Sequence, residues 1–240
     1  MFDVLILSGG PASRLKGVFK PLLPINGKPM LLHIVNEFKS VANNVIIVVH
    51  NSWQADLIKE CIPTSSDIRI VLDRLDIQSP LTAALSGAMV SKSRIIFIIA
   101  ADMPFFKHEV ALKIAKYCNV FDACIPIWPN GYVEPLAAAY VRSRYIHVAK
   151  QLISRGILKA QAVIKKLKTK YVDVRELCKQ PDVVFHNVNT INDYVKALYI
   201  VENHKSQKLK ISNFLSYNPK QLISLSKPFI MKQDNRKTYI

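Results

Sequence analysis

Two adjacent glycines, Gly9 and Gly10, close a short apolar run, Val4–Leu7, and three spaced cations follow: Arg14, Lys16 and Lys20. Glycine tolerates strained dihedrals and has no side chain to cover its N–H, so the backbone of Leu7, Ser8, Gly9 and Gly10 can face an anion. With Arg14 and Lys20 close behind, the stretch suits the phosphates of a nucleotide. The spacing is neither the G-x-x-x-x-G-K-[ST] phosphate loop nor G-x-G-x-x-G. A tight turn with ordinary surface cations would use the same residues. Three further polar residues, Asn51, Asp73 and Asp102, each stand within two residues of the end of an apolar run. Asp102, in Ala101-Asp102-Met103-Pro104, has the carboxylate that Mg²⁺ favours when it bridges a protein to substrate phosphates. The other use of an aspartate there is to cap the helix beginning near Pro104.

The elements that must position these residues alternate in the manner of βαβ units. Strands are expected at Val4–Leu7, Asn44–Val49, Ile68–Leu72, Arg94–Ala100 and Ala123–Ile127, with Arg94–Ala100 the most hydrophobic and central. Helices are expected at Pro29–Phe38, Trp53–Cys61 with Ser52 as its cap, Pro80–Val90, Phe106–Tyr117, Arg144–Ile153 and Ala160–Leu167. Asn130-Gly131 reads as a turn able to close a hairpin, and Pro135–Val141 as a strand or buried extended segment. Tyr171–Val174 and Val183–His186 read as short extended segments, and Thr190 as the cap of a helix running towards Val201. In an open parallel sheet ligands collect at the carboxyl ends of the strands. Gly9 and Gly10, Asn51, Asp73 and Asp102 all fall there.

A chain of 240 residues, half of them hydrophobic, fits one generous domain with an appendage. Residues 1–203 read as the domain and 204–240 as a basic extension that packs on the domain or on another subunit. No apolar run reaches the roughly 20 residues of a membrane span, and the acidic start lacks a signal peptide's basic region, so a cytoplasmic protein is expected. The four cysteines, Cys61, Cys118, Cys124 and Cys178, form no metal-binding spacing and read as buried thiols. The formal charge of +16 can concentrate any anion. It leaves a non-catalytic protein binding anions or nucleic acid as a rival reading, although no compact nucleic-acid motif accompanies it.

Taken together, LSGGPASRLKGVFKPLLPINGKPML resembles the nucleotidylyltransferase signature. Asp73 before Pro80-Leu81, Ala101-Asp102-Met103-Pro104, Glu134-Pro135-Leu136 and Asn187-Val188-Asn189-Thr190 narrow the likeness to the molybdenum cofactor guanylyltransferases. The resemblance spans about Met1–Val201. It implies a three-layer α/β fold with a mostly parallel sheet, and transfer of GMP from GTP to molybdopterin with release of pyrophosphate. It also implies roles: Leu7–Gly10, Pro80 and Leu81 along the nucleotide, Arg14 and Lys20 on the triphosphate, Asn51 and Asp73 on the guanosine, Asp102 on Mg²⁺, and Glu134, Asn187 and Asn189 on the acceptor. Lys16, Ser79 and Thr82-Ala83 depart from the family's usual residues near the expected base pocket. Alternatives within the same chemistry are cobinamide phosphate or a sugar phosphate as acceptor, or CTP as donor.

Overall fold

The computed structural model describes residues 1–10, 19–62, 65–73 and 77–205, the last three without their side chains. Arg14, Lys16 and nearly all of the basic extension lie outside the described residues.

The strands are β1 (Asp3–Leu7), β2 (Pro24–Ile25), β3 (Lys28–Pro29), β4 (Val45–Val49), β5 (Ile68–Leu72), β6 (Ile95–Ala100), β7 (Ala123–Ile127), β8 (Ala137–Val141) and β9 (Thr169–Asp173). The helices are α1 (Met30–Phe38), α2 (Ser52–Cys61), α3 (Pro80–Val90), α4 (His108–Lys116), α5 (Arg142–Ile153), α6 (Gln161–Ile164), α7 (Val174–Leu177), α8 (Pro181–Val184) and α9 (Ile191–Lys205). Seven strands form one sheet in the order β5-β4-β1-β6-β8-β7-β9, and β2 and β3 make a separate two-stranded ribbon. Every pairing in the sheet is parallel except the two made by β8. The mostly parallel sheet expected from the sequence is therefore present, with β6 at its centre.

Burial on both faces explains the runs VLIL, VIIVV and IIFII, which show no polar alternation because each side of the strand meets a helix layer. One core gathers α1, α2 and α4 on one face of the sheet, through Leu31, Phe38, Ile58, Phe97, Phe106 and Ile114. A second lies beneath α3, α5 and α6 on the other, through Leu81, Leu85, Ile98, Tyr140, Tyr145 and Ile164. A smaller core joins the ribbon to α9 through Ile25, Met30, Val188 and Tyr194. Small residues in α3 permit its close approach to the sheet: a Cβ on Gly87 would stand 2.8 Å from the Val48 side chain. Among the described residues no helix is long and apolar enough to cross a membrane.

Local expectations are corrected in three places. Asn51, not Ser52, caps α2, its side-chain oxygen accepting from Gln54 N at 2.9 Å. Val183–His186 is not extended: Pro181 opens the single turn α8, and proline's fixed φ favours a first helical position over the strand suggested by Val-Val-Phe. The helix expected at Phe106 starts at His108, where Glu37 of α1 accepts from His108 N at 3.0 Å and acts as a cap from another element.

Candidate active site

After β1 the chain steps along β4 and β5 on one side, then crosses to β6 on the other. The reversal of direction between β1 and β6 leaves a crevice at their carboxyl ends, the place where open α/β sheets take ligands. Ser8, Gly9 and Gly10 emerge from β1 into it, and Ala101 and Asp102 from β6. Backbone bonds hold both departures in place: Ser8 N donates to Val48 O at 2.8 Å and Ala101 N to Leu7 O at 3.0 Å. Gly9 lies against the end of β4, where an added Cβ would sit 2.9 Å from His50 N, closer than a side chain can come without moving backbone. Only glycine fits there. Among the described residues Gly10 has no neighbour within 4 Å of such a Cβ. The Gln78 amide donates to Gly9 O and ties this turn to the approach of α3.

Lys20 reaches the same crevice from the single 3-10 turn Lys20–Leu22 that precedes the ribbon. Its Nζ donates to Asp102 Oδ2 at 2.7 Å and to Asn189 Oδ1 at 3.1 Å. Three residues separated by 82 and 169 positions thus meet at one ammonium group. The segment carrying Asn189 is itself fixed to the end of β6, because Val188 N donates to Asp102 O at 2.9 Å. Asn189 N and Thr190 N both donate to Asp193, and Thr190 Oγ1 accepts from Asp193 N at 3.2 Å, so Thr190 does cap α9. Asn187 turns its amide to Phe185 O. Asp102 is not a helix cap, since α4 begins six residues later.

Three buried side-chain atoms among the described residues lack any hydrogen-bond partner: Ser8 Oγ, His50 Nδ1 and Asp102 Oδ1. They follow β1, β4 and β6, three adjacent parallel strands. Buried polar groups are almost always paired, and an unpaired one calls for a ligand, ion or water. Three of them at neighbouring strand ends mark a site prepared for a polar guest. His50 was not among the residues singled out from the sequence. The signal was there, since it directly follows an apolar strand just as Asp73 does.

Asp73, at the end of β5, is held by α3. Thr82 Oγ1 donates to Asp73 Oδ2 at 3.0 Å and Ser86 Oγ to Asp73 Oδ1 at 2.8 Å. Thr82 also closes a capping box with Ser79, whose Oγ accepts from Thr82 N at 3.1 Å. The departures at Ser79 and Thr82 therefore act as a pair, capping α3 and steering Asp73 together. Pro80 occupies the first turn of α3, while the Leu81 side chain is fully buried and leaves only its backbone for a ligand. Asn51 is exposed, its carbonyl oxygen engaged in capping α2.

On the far side of Asp102 stands Glu134, 8% exposed, accepting from Trp128 Nε1 at 2.9 Å. Burial pushes its carboxyl above the usual range; the Trp128 N–H pulls it back, and the Asp102 charge pushes it up again. Trp128 is committed to packing, edge-on to Phe185 at 6.0 Å, whereas Trp53 remains 45% exposed beside Phe19. Cys118 and Cys124 are buried thiols pushed up to about 12 by that burial, so neither offers a thiolate, while Cys61 and Cys178 are only partly buried, against the burial expected of all four.

A doubly flanked, mostly parallel sheet with a lysine, a carboxylate and a glycine turn converging on its switch point defines a Rossmann-like α/β protein with a ligand crevice at the strand ends. Residues 4–171 match the family described as the MobA-like NTP transferase domain. The chain belongs to that family and is a nucleotidyltransferase. A protein of Methanosarcina mazei named "Probable molybdenum cofactor guanylyltransferase" is 28% identical over 196 residues, covering 80% of this chain and 87% of its own. One of the same name from Thermococcus gammatolerans is 30% identical over 194 residues, covering 80% and 96%. Among solved structures, molybdopterin-guanine dinucleotide biosynthesis protein A from Archaeoglobus fulgidus superposes with a TM-score of 0.72 at 24% identity, over 84% of this chain and all of its own.

Proposed function

We propose that this protein transfers GMP from GTP to molybdopterin or its metal-loaded form, with Mg²⁺ held at Asp102 and pyrophosphate released. The observation that carries the reading is the Lys20–Asp102–Asn189 cluster at the switch point, with Asp102 Oδ1 buried and unpaired beside it. The names of the similar proteins support the choice of donor and acceptor.

In this reaction an acceptor phosphate oxygen bonds to the α-phosphorus of GTP while the bond from that phosphorus to the β-bridging oxygen breaks. Two anions must approach, so the protein's task is to neutralise charge and hold the line of attack. A phosphate monoester is already a nucleophile near neutral pH and needs no strong base. The Ser8 hydroxyl and the backbone N–H groups of Gly9 and Gly10 line the phosphates, the Ser8 N–H being spent on Val48 O, and Lys20 shifts its ammonium from Asp102 and Asn189 towards the phosphoryl oxygens. Arg14, outside the described residues, is assigned to the triphosphate from the sequence. Asn51 and Asp73 meet the guanosine, with Pro80 and the Leu81 backbone beside them. Glu134, Asn187 and Asn189 face the acceptor.

Asp102 suits Mg²⁺ because its Oδ1 is a hard oxygen donor with no hydrogen-bond partner among the described residues. When bound, the ion supplies charge neutralisation at the phosphates. Pyrophosphate release from a panel of nucleoside triphosphates and phosphorylated acceptors tests the proposal. GTP with molybdopterin should be the productive pair. Turnover of CTP, or of a sugar phosphate or cobinamide phosphate, with none from GTP and molybdopterin, would replace it.

A further inference from the structure

Beside the edge strand β5 lies an apolar groove that the transfer reaction does not use. Leu72 of β5, Leu85, Ser86 and Met89 of α3, and Lys150 and Ile153 of α5 enclose about 500 Å³, a volume in the range of small-molecule sites. Leu72 and Met89 line it while remaining 43% and 57% exposed. Large apolar side chains gathered at one opening, rather than scattered singly, mark a binding surface.

The charge around this groove has one sign. β5, α3 and α5 contain no Asp or Glu, but they carry Arg69, Arg142, Arg144 and Lys150. Arg142 donates to Ser93 O, and Arg144 pairs with Asp122. Arg69 and Lys150 have no hydrogen bond or ion pair among the described residues. Lys150 lines the groove, and Arg69 shares a face of β5 with Val71, which lines it too. An acidic group at the mouth would meet positive charge that nothing else on these elements offsets. The stretch Lys205–Lys237, with eight cations against one acid, would bring like charge instead, and so would a second copy of a chain of net charge +16. A stable protein partner needs roughly 800 Å² on each side, more than two exposed apolar side chains offer. A small apolar molecule with one acidic head satisfies both the volume and the charge.

The groove also borders the nucleotide side of the sheet. Ser86, in its lining, donates to Asp73 Oδ1 at 2.8 Å, and Thr82, one helical turn earlier, donates to Oδ2 at 3.0 Å. A molecule packed against Leu85 and Ser86 would hold α3 where it grips Asp73. We propose that the groove binds a small amphipathic carboxylate, with its chain on Leu72, Leu85 and Met89 and its head at Lys150, and that occupancy tightens GTP binding through Ser86 and Asp73. The coupling rests on the assignment of Asp73 to the guanosine; the site does not. By linkage, GTP tightens the carboxylate by the same factor.

Calorimetric titration of the full-length protein with octanoate, octanol and octylamine tests the site, and GTP titration with and without octanoate tests the coupling. Octanoate should bind one molecule per chain, octanol about fivefold more weakly and octylammonium more weakly still. Lys150→Gln should erase the preference for octanoate over octanol. Met89→Glu, at an exposed position, should abolish octanoate binding and leave GTP affinity without octanoate within about twofold. Saturating octanoate should tighten GTP binding about fivefold in wild type and leave it unchanged in Met89→Glu. Octanoate binding that survives Met89→Glu would be adsorption to a basic surface, and equal binding of the three probes would contradict the acidic head. An unmoved GTP affinity in wild type would contradict the coupling. Each of these overturns the proposal. Dimers that Met89→Glu dissolves, with no octanoate bound, would overturn it in favour of an interface between copies. Absence of GTP binding to wild type would sink the nucleotide reading and the coupling with it, while the octanoate titration still decides the site.

Discussion

At the scale of single residues the account turns on Lys20 and Asp102. Replacing Lys20 with Ala removes a positioned cation from the phosphoryl oxygens and should lower kcat by about 10²- to 10³-fold. Lys20→Arg should not rescue it, because a planar guanidinium cannot take the place of an ammonium that contacts both Asp102 Oδ2 and Asn189 Oδ1. Steady-state kinetics with circular dichroism as the check on folding would read both outcomes. Gly9→Ala should cost GTP affinity about tenfold or more because the new methyl meets the His50 backbone; Gly10→Ala, whose methyl meets none of the described residues, should cost far less. Titration of GTP into the two variants compares them directly. The identities of these residues were legible in the sequence, since each follows an apolar run or belongs to the glycine–lysine pattern. Their meeting was not. Nothing local connects Lys20 with Asn189, and Asn189 read only as an acceptor-side residue or part of a helix start.

At the scale of elements, strands buried on both faces were legible because uninterrupted β-branched runs have few other uses. The reversed direction of β8 was legible only through the Asn130-Gly131 turn, since small apolar residues such as Ala137–Ala139 pack equally well either way. Caps that arrive from another element were equally hidden: Glu37 starts α4 from α1, and the Asn51 side chain takes α2 one residue earlier than Ser52 would. Asp3 is the strongest such tie. Its fully buried carboxylate accepts from Asn44 Nδ2, Ser91 Oγ, Lys92 N and Ser93 N, joining the start of β1 to the end of α3. Burial alone would raise its pKa, but the bonds from Asn44, Ser91 and Ser93 outweigh it and hold the carboxyl below the usual 3.8. The folded-state value is the lower one, so the stabilisation is complete above the unfolded value and is lost as pH falls through the folded one. Asp3→Ala should destabilise the protein by about 3 kcal/mol by stranding these donors. Urea unfolding at pH 7 would measure that loss, and the difference from wild type should shrink as the pH falls from the usual 3.8 through the lowered folded-state value.

At the scale of the whole molecule, the charge is unevenly placed. Arg142–Lys179 holds eleven lysines and arginines against two acids, and Lys205–Lys237 holds eight against one. The first stretch forms α5, α6, β9 and α7, with β9 at the edge of the sheet three strands from β6. The Archaeoglobus fulgidus protein superposes over its whole length on 84% of this chain. A chain ending at Lys205 should therefore keep its fold and its GTP affinity within about twofold, measured by thermal melting and by titration. The most direct test of the central claim is calorimetric titration of GTP, CTP and ATP into the full-length protein, with and without Mg²⁺, and into Asp102→Asn. The account predicts preference for GTP by about tenfold or more, tighter binding when Mg²⁺ is present, and loss of that Mg²⁺ dependence in Asp102→Asn. Equal affinity for the three nucleotides, or a Mg²⁺ response that survives in Asp102→Asn, would contradict it.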